Sequence, residues 1–181
     1  KNTLIDLRRF YNKWGEYYKT GTTQKNLLRK NEVVKNTLLF VGTLEPRKNI
    51  DMLIDYFNKI DGYVLNIVGK KGWSYKTTID KINSNNNIVY HNYVSDSKLI
   101  ELYEKSEIFV YPSIYEGFGL PLSDAQNFQM PIIALDTDIN REVLGTKARY
   151  FLNFEEFKNC FKSTKKKHLN KTNNQENNWL K

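Results

Sequence analysis

Short apolar runs alternate with stretches of helical spacing from residue 37 to residue 157, and no other feature constrains the fold as strongly. The runs predict strands at 37–42, 63–69, 87–94, 107–112, 131–135 and 149–151. After the first run, Ile50, Leu53, Ile54 and Phe57 recur at the spacing of an amphipathic helix, and similar stretches follow the other runs. Parallel strands need crossover connections, which are usually helices. The sequence therefore predicts an α/β fold, a doubly wound parallel sheet with helices on both faces.

Polar and turn-forming residues indicate where three of these helices begin. Asn49 precedes the first helical stripe and is predicted to be the N-cap of that helix. Pro121 suits the first turn of the helix that follows the fourth strand. Asn153 and Glu156 have the Asn-x-x-Glu spacing of a capping box, so a further helix is expected from about residue 153.

The two ends of the chain differ from this alternating middle. Apolar and aromatic residues step by three or four within residues 3–20, which predicts an amphipathic helix. Its basic neighbours suit a membrane surface, but such a stripe also docks on a neighbouring domain or on its own core, and both interpretations stay open. The last residues are polar and low in complexity, and "NWLK" resembles the start of another helix. We predict a basic amphipathic segment at 1–36, an α/β domain at 37–162, and a polar basic tail at 163–181.

The net charge of +8 would suit a nucleic-acid partner, but it is concentrated at the two ends. Residues 1–36 carry nine basic and three acidic side chains, and residues 158–181 carry seven and one, so each end has a net charge of +6. Residues 37–157 carry twelve basic and sixteen acidic side chains, a net charge of −4. The predicted α/β domain is therefore acidic, which argues against nucleic-acid binding and leaves the basic ends as candidates for contact with an acidic surface.

Length and composition indicate one domain with a sizeable core. The sequence has no apolar run of the roughly 18 to 20 residues that cross a membrane. It starts at Lys1 without a secretory leader, so we expect a cytoplasmic fragment of a longer product, with the inner face of the membrane as a candidate contact. The lone Cys160 excludes an internal disulfide and suits a reducing compartment. His91, Cys160 and His168 match no zinc pattern, so no metal is expected.

The unusual residues fall where the predicted strands end. In an open parallel sheet, ligands bind at the carboxyl ends of the strands, near the point where the strand order reverses. "GTLEPRKN" (42–49) follows the first strand and "GKKGW" (69–73) the second, while Tyr93 and Val94 follow the third and "YPSIYEGFGLPLSDAQNF" (111–128) the fourth. Each signal alone is weak because such residues also form ordinary turns. Four of them on one rim of one sheet predict a ligand site.

Side chains of the first loop are suited to an anionic ligand. Gly42 has no Cβ, which allows a ligand close to the backbone. Arg47 and Lys48 are suited to neutralise a diphosphate, the arginine by a forked contact and the lysine as a point charge. No Gly-x-Gly-x-x-Gly and no Walker loop follows the first strand, which argues against a nicotinamide cofactor and against an NTPase.

The stretch after the fourth strand predicts a helix N-terminus that attracts an anion. Gly117, Phe118, Gly119 and Leu120 lead into this helix, whose free N–H groups and dipole favour negative charge. Asp124 is expected in the first turn of the helix. There it either complements the helix dipole or accepts hydrogen bonds from ribose hydroxyls, and both interpretations stay open.

Several of these motifs together resemble a known family. "FVGTLEPRKNIDMLIDYF", "IVGKKGW", "YVSDSKLIELYEKSEIFVYPSIYEGFGLPLSDA" and "PIIALD" are similar to the C-terminal, donor-binding domain of family 4 retaining glycosyltransferases, two-domain enzymes of the GT-B fold. The resemblance covers residues 37–157 in colinear order. It implies a Rossmann-like domain that binds a nucleotide diphosphate sugar without a cofactor or a metal, because basic side chains and a helix N-terminus hold the diphosphate.

The resemblance also implies roles for individual residues. Glu116 matches the first acid of the family's Glu-x7-Glu motif, which lies near the donor sugar. The second acid, a ribose ligand in the family, is here the shorter Asp124. Lys48 matches the family's diphosphate lysine. Many members have an arginine directly after the first-strand glycine, where this chain has Thr43, and Arg47 is expected to substitute for it.

The complete set of predicted site residues combines the sequence pattern with the resemblance. The nucleotide base is expected near Tyr93 and Val94. The predicted catalytic residues are Arg47, Lys48 and Glu116, and the predicted donor-binding residues are Gly42, Thr43, Gly69, Tyr93, Val94, Gly117, Phe118, Gly119, Leu120 and Asp124.

The activity implied by the resemblance is transfer of a sugar with retention of configuration to a glycan, polysaccharide or lipid-linked acceptor. Similarity of the Pro-Arg-Lys-Asn and Gly-Trp loops to bacterial mannosyltransferases favours mannose from GDP-mannose, with UDP-sugars as the other option. The acceptor-binding half of the family precedes this domain and is missing here, so we expect donor binding with little or no transfer. The alternative is a catalytically silent sugar-nucleotide-binding or interaction module, which the residues Thr43 and Asp124 would suit.

Overall fold

The computed structural model describes residues 32–116 and 119–162. The strands are β1 (Val34–Val41), β2 (Val64–Val68), β3 (Ile88–His91), β4 (Ser106–Tyr111), β5 (Ile132–Leu135) and β6 (Ala148–Phe151). The helices are α1 (Ile50–Phe57), α2 (Lys76–Asn83), α3 (Asp96–Lys105), α4 (Leu120–Asn127), α5 (Asp138–Leu144) and α6 (154–162). The strands form one sheet in the order β3-β2-β1-β4-β5-β6. All neighbouring strands pair in parallel, which confirms the predicted fold class.

Both faces of the sheet are covered, as a doubly wound fold requires. Leu38 and Phe40 belong to one buried cluster, which contains residues of α1, α2 and α6. Leu39, between them in the sequence, belongs to a second cluster, which contains residues of α3, α4 and α5. Successive residues of a strand point to opposite faces. The continuous apolar run of β1 is therefore explained by burial on both sides of the sheet.

Two strand limits differ from the predicted ones: the start of β1 and the end of β3. β1 begins at Val34, three residues before the predicted start at 37. Its pairing with β4 is irregular near Asn36, whose backbone N–H donates to Glu107 Oε2 at 2.6 Å. β3 ends at His91 and not at residue 94, because the chain turns there to reach Ser95, the N-cap of α3.

Two of the predicted helix starts have different outcomes. The capping box is confirmed: the Glu156 N–H donates to Asn153 Oδ1 at 3.0 Å, and Glu156 Oε2 accepts from the Leu152 N–H at 2.7 Å. Asn49 is the N-cap of α1, as predicted, but it has a left-handed backbone (φ 54°) and its side chain makes no capping hydrogen bond.

Several predictions lie outside the described residues. These are the amphipathic segment at 3–20, the tail at 163–181, and the site residues Gly117 and Phe118. The boundaries of the three predicted parts of the chain therefore stay predictions. Within residues 32–116 and 119–162, helices of the length and apolarity that a membrane span requires are absent.

Candidate functional site

The strand order places two loops side by side at the centre of the sheet. From β1 the chain moves outward through β2 to β3, and it then returns to β4 on the other side of β1. The order therefore reverses between β1 and β4. The loop 42–49 leaves the carboxyl end of β1, and the loop that starts at Pro112 leaves the carboxyl end of β4. This is the crevice in which doubly wound sheets bind their ligands.

Four charged side chains from the two loops meet in this crevice. Arg47 and Lys48 lie on a single 3₁₀ turn that Pro46 starts. Lys48 Nζ donates to Glu116 Oε1, and Arg47 Nη1 donates to Glu116 Oε2 at 3.0 Å. Arg47 Nη2 also lies 2.5 Å from Glu45 Oε1. We call Glu45, Arg47, Lys48 and Glu116 the charge cluster; it unites all three of the predicted catalytic residues.

Backbone and amide contacts hold the two loops in register. The Ile114 N–H donates to the Arg47 carbonyl at 2.9 Å. Asn49 Nδ2 donates to the Pro112 carbonyl at 3.3 Å, so the side chain of this N-cap residue bonds to the neighbouring loop and not to the helix. Its left-handed backbone conformation is one that asparagine tolerates better than most residues. The sequence "PRKN" thus presents two cations and attaches their loop to the neighbouring one.

Burial and pairing together determine the charge state of the cluster. The side chains of Lys48 and Glu116 are only 7% and 11% exposed, whereas that of Arg47 is 42% exposed. Burial by itself would raise the pKa of Glu116, but the hydrogen bonds from Lys48 and Ser113 and the charges of Lys48 and Arg47 outweigh it and lower that pKa. Glu116 is therefore a carboxylate at neutral pH. By formal charge, the cluster contains two cations and two carboxylates.

Glycines allow the β1 and β2 loops to approach each other. The Gly42 N–H donates to the Val68 carbonyl at 2.8 Å, so the two chains stay paired beyond the strands. A Cβ on Gly69 (φ 154°) would lie 1.9 Å from the Gly42 carbonyl oxygen, which no side chain permits. A Cβ on Gly42 would lie 3.0 Å from Phe40 Cζ, which is a tight contact. Gly69, predicted to bind the donor, thus has a packing role, and the absence of a Cβ at Gly42 leaves room for the ring of Phe40.

Thr43 lies in the same pair of loops and takes no part in the charge cluster. Its methyl group would be 2.7 Å from a Cβ built on Gly72, which shows how closely the "GKKGW" loop packs against it. Leu44 forms an isolated parallel bridge with Lys71 and continues this pairing.

The N-terminus of α4 offers fewer backbone donors than the sequence suggests. Gly119 (φ 60°) is the N-cap, and its carbonyl accepts from the N–H groups of Leu122 at 2.8 Å and Ser123 at 3.0 Å. Pro121 has no N–H. Among the described residues of this helix start, the backbone N–H groups of Gly119 and Leu120 take no part in these bonds.

The prediction that Asp124 lies in the first turn of α4 is wrong. The helix begins at Leu120, so Asp124 is its fifth residue, and the first turn contains no acidic residue. Burial raises the pKa of the Asp124 carboxyl. In the described part of the chain it makes no hydrogen bond and no ion pair. A dipole-complementing role is therefore weakened, and the half-buried carboxylate keeps its acceptors available for a ligand.

Tyr93 and Val94 lie on the same rim, beyond the carboxyl end of β3, two strands away from β1. Tyr93 is 75% exposed, and Lys70 Nζ lies 5.4 Å from the centre of its ring. Val94 is partly buried against the second core cluster. Trp73, which was not among the predicted site residues, is 63% exposed on the neighbouring loop. These residues form an aromatic rim separate from the charge cluster.

Sequence reasoning missed three further residues of the crevice. Glu45 pairs with Arg47, and the hydroxyls of Tyr111 and Ser113 are buried and contact Glu116. The signal for the hydroxyls was their position directly after an apolar strand, at the carboxyl end where ligands bind. The signal for Glu45 was weaker, since an acid next to an Arg-Lys pair occurs on many surfaces.

Candidate metal ligands do not gather in the described residues. Groups of three or more His, Cys, Asp or Glu side chains able to hold a metal ion are absent from them. His91 Nε2 lies 3.1 Å from Asn66 Oδ1, and Cys160 is buried, with its Sγ 3.4 Å from the Tyr150 carbonyl oxygen. Both residues have roles within the fold.

Comparison with known proteins identifies the class to which this fold and crevice belong. The model of the family "Glycosyl transferases group 1" matches residues 23–171. The chain therefore belongs to the glycosyl transferases group 1 family, as the sequence motifs predicted. Its doubly wound sheet is the Rossmann-like fold found in GT-B glycosyltransferases.

Two curated relatives share the site region. The serotype-specific mannosyltransferase WbdA of Escherichia coli is 33% identical over 123 residues, which are 64% of this chain and 15% of WbdA. The O-antigen chain mannosyltransferase RfbU of Salmonella typhimurium is 34% identical over 136 residues, 72% of this chain and 38% of RfbU. The chain thus spans less than two fifths of either relative.

A solved structure shows the same fold at lower identity. The pneumococcal O-GlcNAc transferase GtfA in complex with UDP and GlcNAc superposes with a TM-score of 0.55 and 21% identity. The match covers 66% of this chain and 24% of GtfA. At this identity the likeness concerns the fold.

Proposed function

We propose that this chain is the donor-binding domain of a retaining glycosyltransferase of polysaccharide biosynthesis. It would bind a nucleotide diphosphate sugar, and its partner domain would supply the glycan or lipid-linked acceptor. The observation that carries the proposal is the meeting of Arg47, Lys48 and Glu116 between the carboxyl ends of β1 and β4. The proposal is further supported by the two mannosyltransferase relatives and by a neighbour solved with UDP and GlcNAc.

The diphosphate lies, in this proposal, between the charge cluster and the start of α4. Lys48 is buried and held by Glu116, so its position is set before a ligand arrives. Arg47 is more exposed and can turn from Glu45 towards a phosphate. The N–H groups of Gly119 and Leu120 would add backbone donors. As the bond to the sugar breaks, negative charge grows on the leaving diphosphate, and fixed cations stabilise it best when they need not rearrange.

Glu116 has a different task from that of a hydrolase acid. Its pKa is lowered, so it does not supply a proton at neutral pH. A carboxylate fixed by two cations is suited to accept hydrogen bonds from sugar hydroxyls and to orient the donor. Transfer on one face of the sugar would then retain the configuration. We further propose that the diphosphate is held by these side chains without a metal cofactor.

The other parts of the rim would bind the rest of the nucleotide. Asp124 has a half-buried carboxylate that pairs with no other described residue, and it is proposed to accept hydrogen bonds from the ribose. The exposed ring of Tyr93 is proposed to stack on the base, with Val94 beside it. We favour GDP-mannose as the donor, because the two curated relatives are named mannosyltransferases.

Calorimetric titration of the 181-residue chain with GDP, UDP, GDP-mannose and UDP-glucose tests the proposal. We expect saturable binding of at least one nucleotide, and tighter binding of GDP-mannose than of UDP-glucose. Absence of binding by all four at millimolar concentration would contradict the donor-domain proposal. Stronger binding of UDP-glucose would contradict only the preference for mannose.

Substitutions in the β1 loop test how the diphosphate is held. Lys48→Ala should weaken binding of the nucleoside diphosphate at least about tenfold, because charged hydrogen bonds contribute about 1.5 to 3 kcal/mol. Thr43→Ala is the matched control from the same loop, outside the charge cluster, and should change binding by less than about threefold. Equal losses in the two variants would contradict our assignment of Lys48.

The alternative is a sugar-nucleotide-binding module without transferase activity. Asp124 in place of the family's longer acid is the feature that favours it. Joining this chain to the acceptor-binding half of a relative distinguishes the two. Sugar transfer by the joined protein would support the enzyme. The control is the complete relative, in which the same acceptor-binding half is joined to its own donor-binding domain and is active. Donor binding without transfer by the joined protein, when this control is active, would support the silent module.

A further inference from the structure

Asn140 is a buried polar residue that has no part in the proposed donor contacts. It is the third residue of α5 and is 2% exposed. Its side-chain amide donates to the Leu135 carbonyl at 2.8 Å and to the Ser113 carbonyl at 3.3 Å. Leu135 ends β5, and Ser113 lies in the loop that leaves β4. The side chain therefore joins the carboxyl ends of two neighbouring strands, and the loop from one of them leads into the crevice.

The asparagine amide is well suited to this position. Its nitrogen carries two N–H groups, so one short side chain can satisfy two carbonyl groups at once. A serine has one hydroxyl donor, and an ionised aspartate has none. Ser113 is fully buried, so water has little access to its carbonyl. Without the Asn140 amide this carbonyl would be a buried acceptor without a partner, which native proteins seldom contain.

The contact with Ser113 bears on Glu116, because both residues lie in the loop after β4. The Ser113 hydroxyl donates a hydrogen bond to the Glu116 carboxylate, which also pairs with Lys48 and Arg47. A shift of the backbone at Ser113 would therefore move both this hydroxyl and the short segment that carries Glu116. The Asn140 amide opposes such a shift.

The residues next to Ser113 are held from the other side of the loop. The Pro112 carbonyl accepts from Asn49, and the Ile114 N–H donates to the Arg47 carbonyl at 2.9 Å. Both of these partners follow β1, whereas the amide on α5 follows β5. Because β4 lies between β1 and β5 in the sheet, hydrogen bonds from both neighbouring strand ends hold the loop.

We propose that Asn140 is a positioning residue, whose amide fixes the backbone at Ser113 and thereby holds Glu116 where it orients the donor's sugar. The inference rests on the proposed donor-binding function and assigns no contact between Asn140 and the ligand. Side chains that orient a substrate depend on the hydrogen bonds behind them, because displacements of about 1 Å are enough to weaken their action. Loss of the amide should therefore weaken binding of a nucleotide sugar more than binding of the bare nucleotide.

The test uses Asn140→Ala and Asn140→Ser in the 181-residue chain, titrated by calorimetry with GDP, GDP-mannose, UDP and UDP-glucose. Alanine removes both donors, whereas serine keeps one. In Asn140→Ala we expect the ratio of affinities between the preferred nucleotide sugar and its nucleotide to fall about three- to tenfold, the range of one hydrogen bond. The fall should be smaller in Asn140→Ser. Binding of the bare nucleotide should stay within about twofold in both variants.

Thr78→Val is the matched control for a general loss of stability. Thr78 is 6% exposed, and its hydroxyl donates to Asp51 Oδ1 at 2.6 Å. It belongs to α2, which packs on the opposite face of the sheet from α5. The control should lower thermal stability, as Asn140→Ala should, but it should leave the affinity ratio unchanged.

An unchanged ratio in Asn140→Ala, with or without weaker binding of both ligands, would overturn the inference, because the amide would then serve the fold alone. If Asn140→Ala does not fold, the ratio in Asn140→Ser decides in the same way. Failure of both variants to fold would also overturn the inference. If no nucleotide binds the unmodified chain, the proposed function itself is refuted, and the inference with it.

Discussion

The buried pair of Lys48 and Glu116 should stabilise the free protein strongly, and Lys48→Met tests this. Methionine keeps an unbranched stem of similar length but removes the ammonium group. Glu116, whose side chain is 11% exposed, would then keep only Arg47 as a cationic partner. The variant thus leaves a largely buried carboxylate with one of the two cations that offset the cost of burying its charge.

The expected loss can be worked from this geometry. Two unit charges at about 4 Å attract by roughly 4 kcal/mol at an effective dielectric constant of 20, and part of this is cancelled by desolvation of the ammonium. Removal of one partner from a fully buried pair typically costs about 3 to 5 kcal/mol. Because Arg47 remains on the other carboxylate oxygen, we expect a loss of about 2 kcal/mol. A domain of ordinary stability, about 5 to 15 kcal/mol, stays folded after such a loss.

Urea unfolding at pH 7, followed by circular dichroism, measures this loss. Lys81→Met is the control, because Lys81 Nζ pairs with Asp55 at 2.6 Å but the side chains are 36% and 53% exposed. Such a surface pair contributes less than about 1 kcal/mol. Glu116→Gln and the double variant complete a double-mutant cycle with Lys48→Met. The losses in free energy of unfolding of the two single variants should differ in sum from that of the double variant by at least about 1 kcal/mol.

The pH dependence gives a second check on the same pair. The pKa of Glu116 is lowered in the folded chain from the ordinary value of 4.5, so the pair stabilises the fold fully above that value. The difference between the unmodified chain and Lys48→Met should therefore shrink as the pH falls below 4.5 and through the lowered pKa. A loss in Lys48→Met no larger than in Lys81→Met, or additive losses in the cycle, would refute the reasoning.

Three further predictions concern other parts of the site. Burial raises the pKa of Asp124 from 3.8, so its charged form opposes folding at higher pH. Asp124→Asn should therefore stabilise the chain by about 0.5 to 1 kcal/mol at pH 7 but not at pH 3. Thermal unfolding at the two pH values measures this difference. Gly69→Ala should lower the free energy of unfolding by more than about 3 kcal/mol, because its Cβ would meet the Gly42 carbonyl. Gly62→Ala is the control and should lower it by about 1 kcal/mol, because this residue has a φ of 77° but nothing within 4 Å of the added Cβ. Similar losses for the two variants in urea unfolding would contradict this. Glu45→Gln removes one carboxylate partner of Arg47 and should tighten GDP binding about three- to tenfold in low salt and less in high salt. An unchanged affinity in calorimetry would show that Glu45 does not compete with GDP for Arg47.

The sequence alone determined the architecture, because strand and helix periodicity are local signals. Alternation of apolar runs with helical stripes predicted the parallel sheet, and the Asn153–Glu156 spacing predicted a cap that the structure confirms. The carboxyl ends of the strands also indicated where the charged residues would gather. Arg47, Lys48 and Glu116 were all predicted, and the structure brings them together.

Tertiary structure decided how those residues are used, since their partners are distant in the chain. The side chain of Asn49 serves the Pro112 carbonyl because β4 lies beside β1, which no pattern around residue 49 reveals. Gly69 is required by the Gly42 carbonyl of the neighbouring strand end. The start of α4 at Leu120 puts Asp124 in the second turn. Periodicity specifies which face of an element is buried, but only the packed sheet specifies which atoms of two strand ends come into contact.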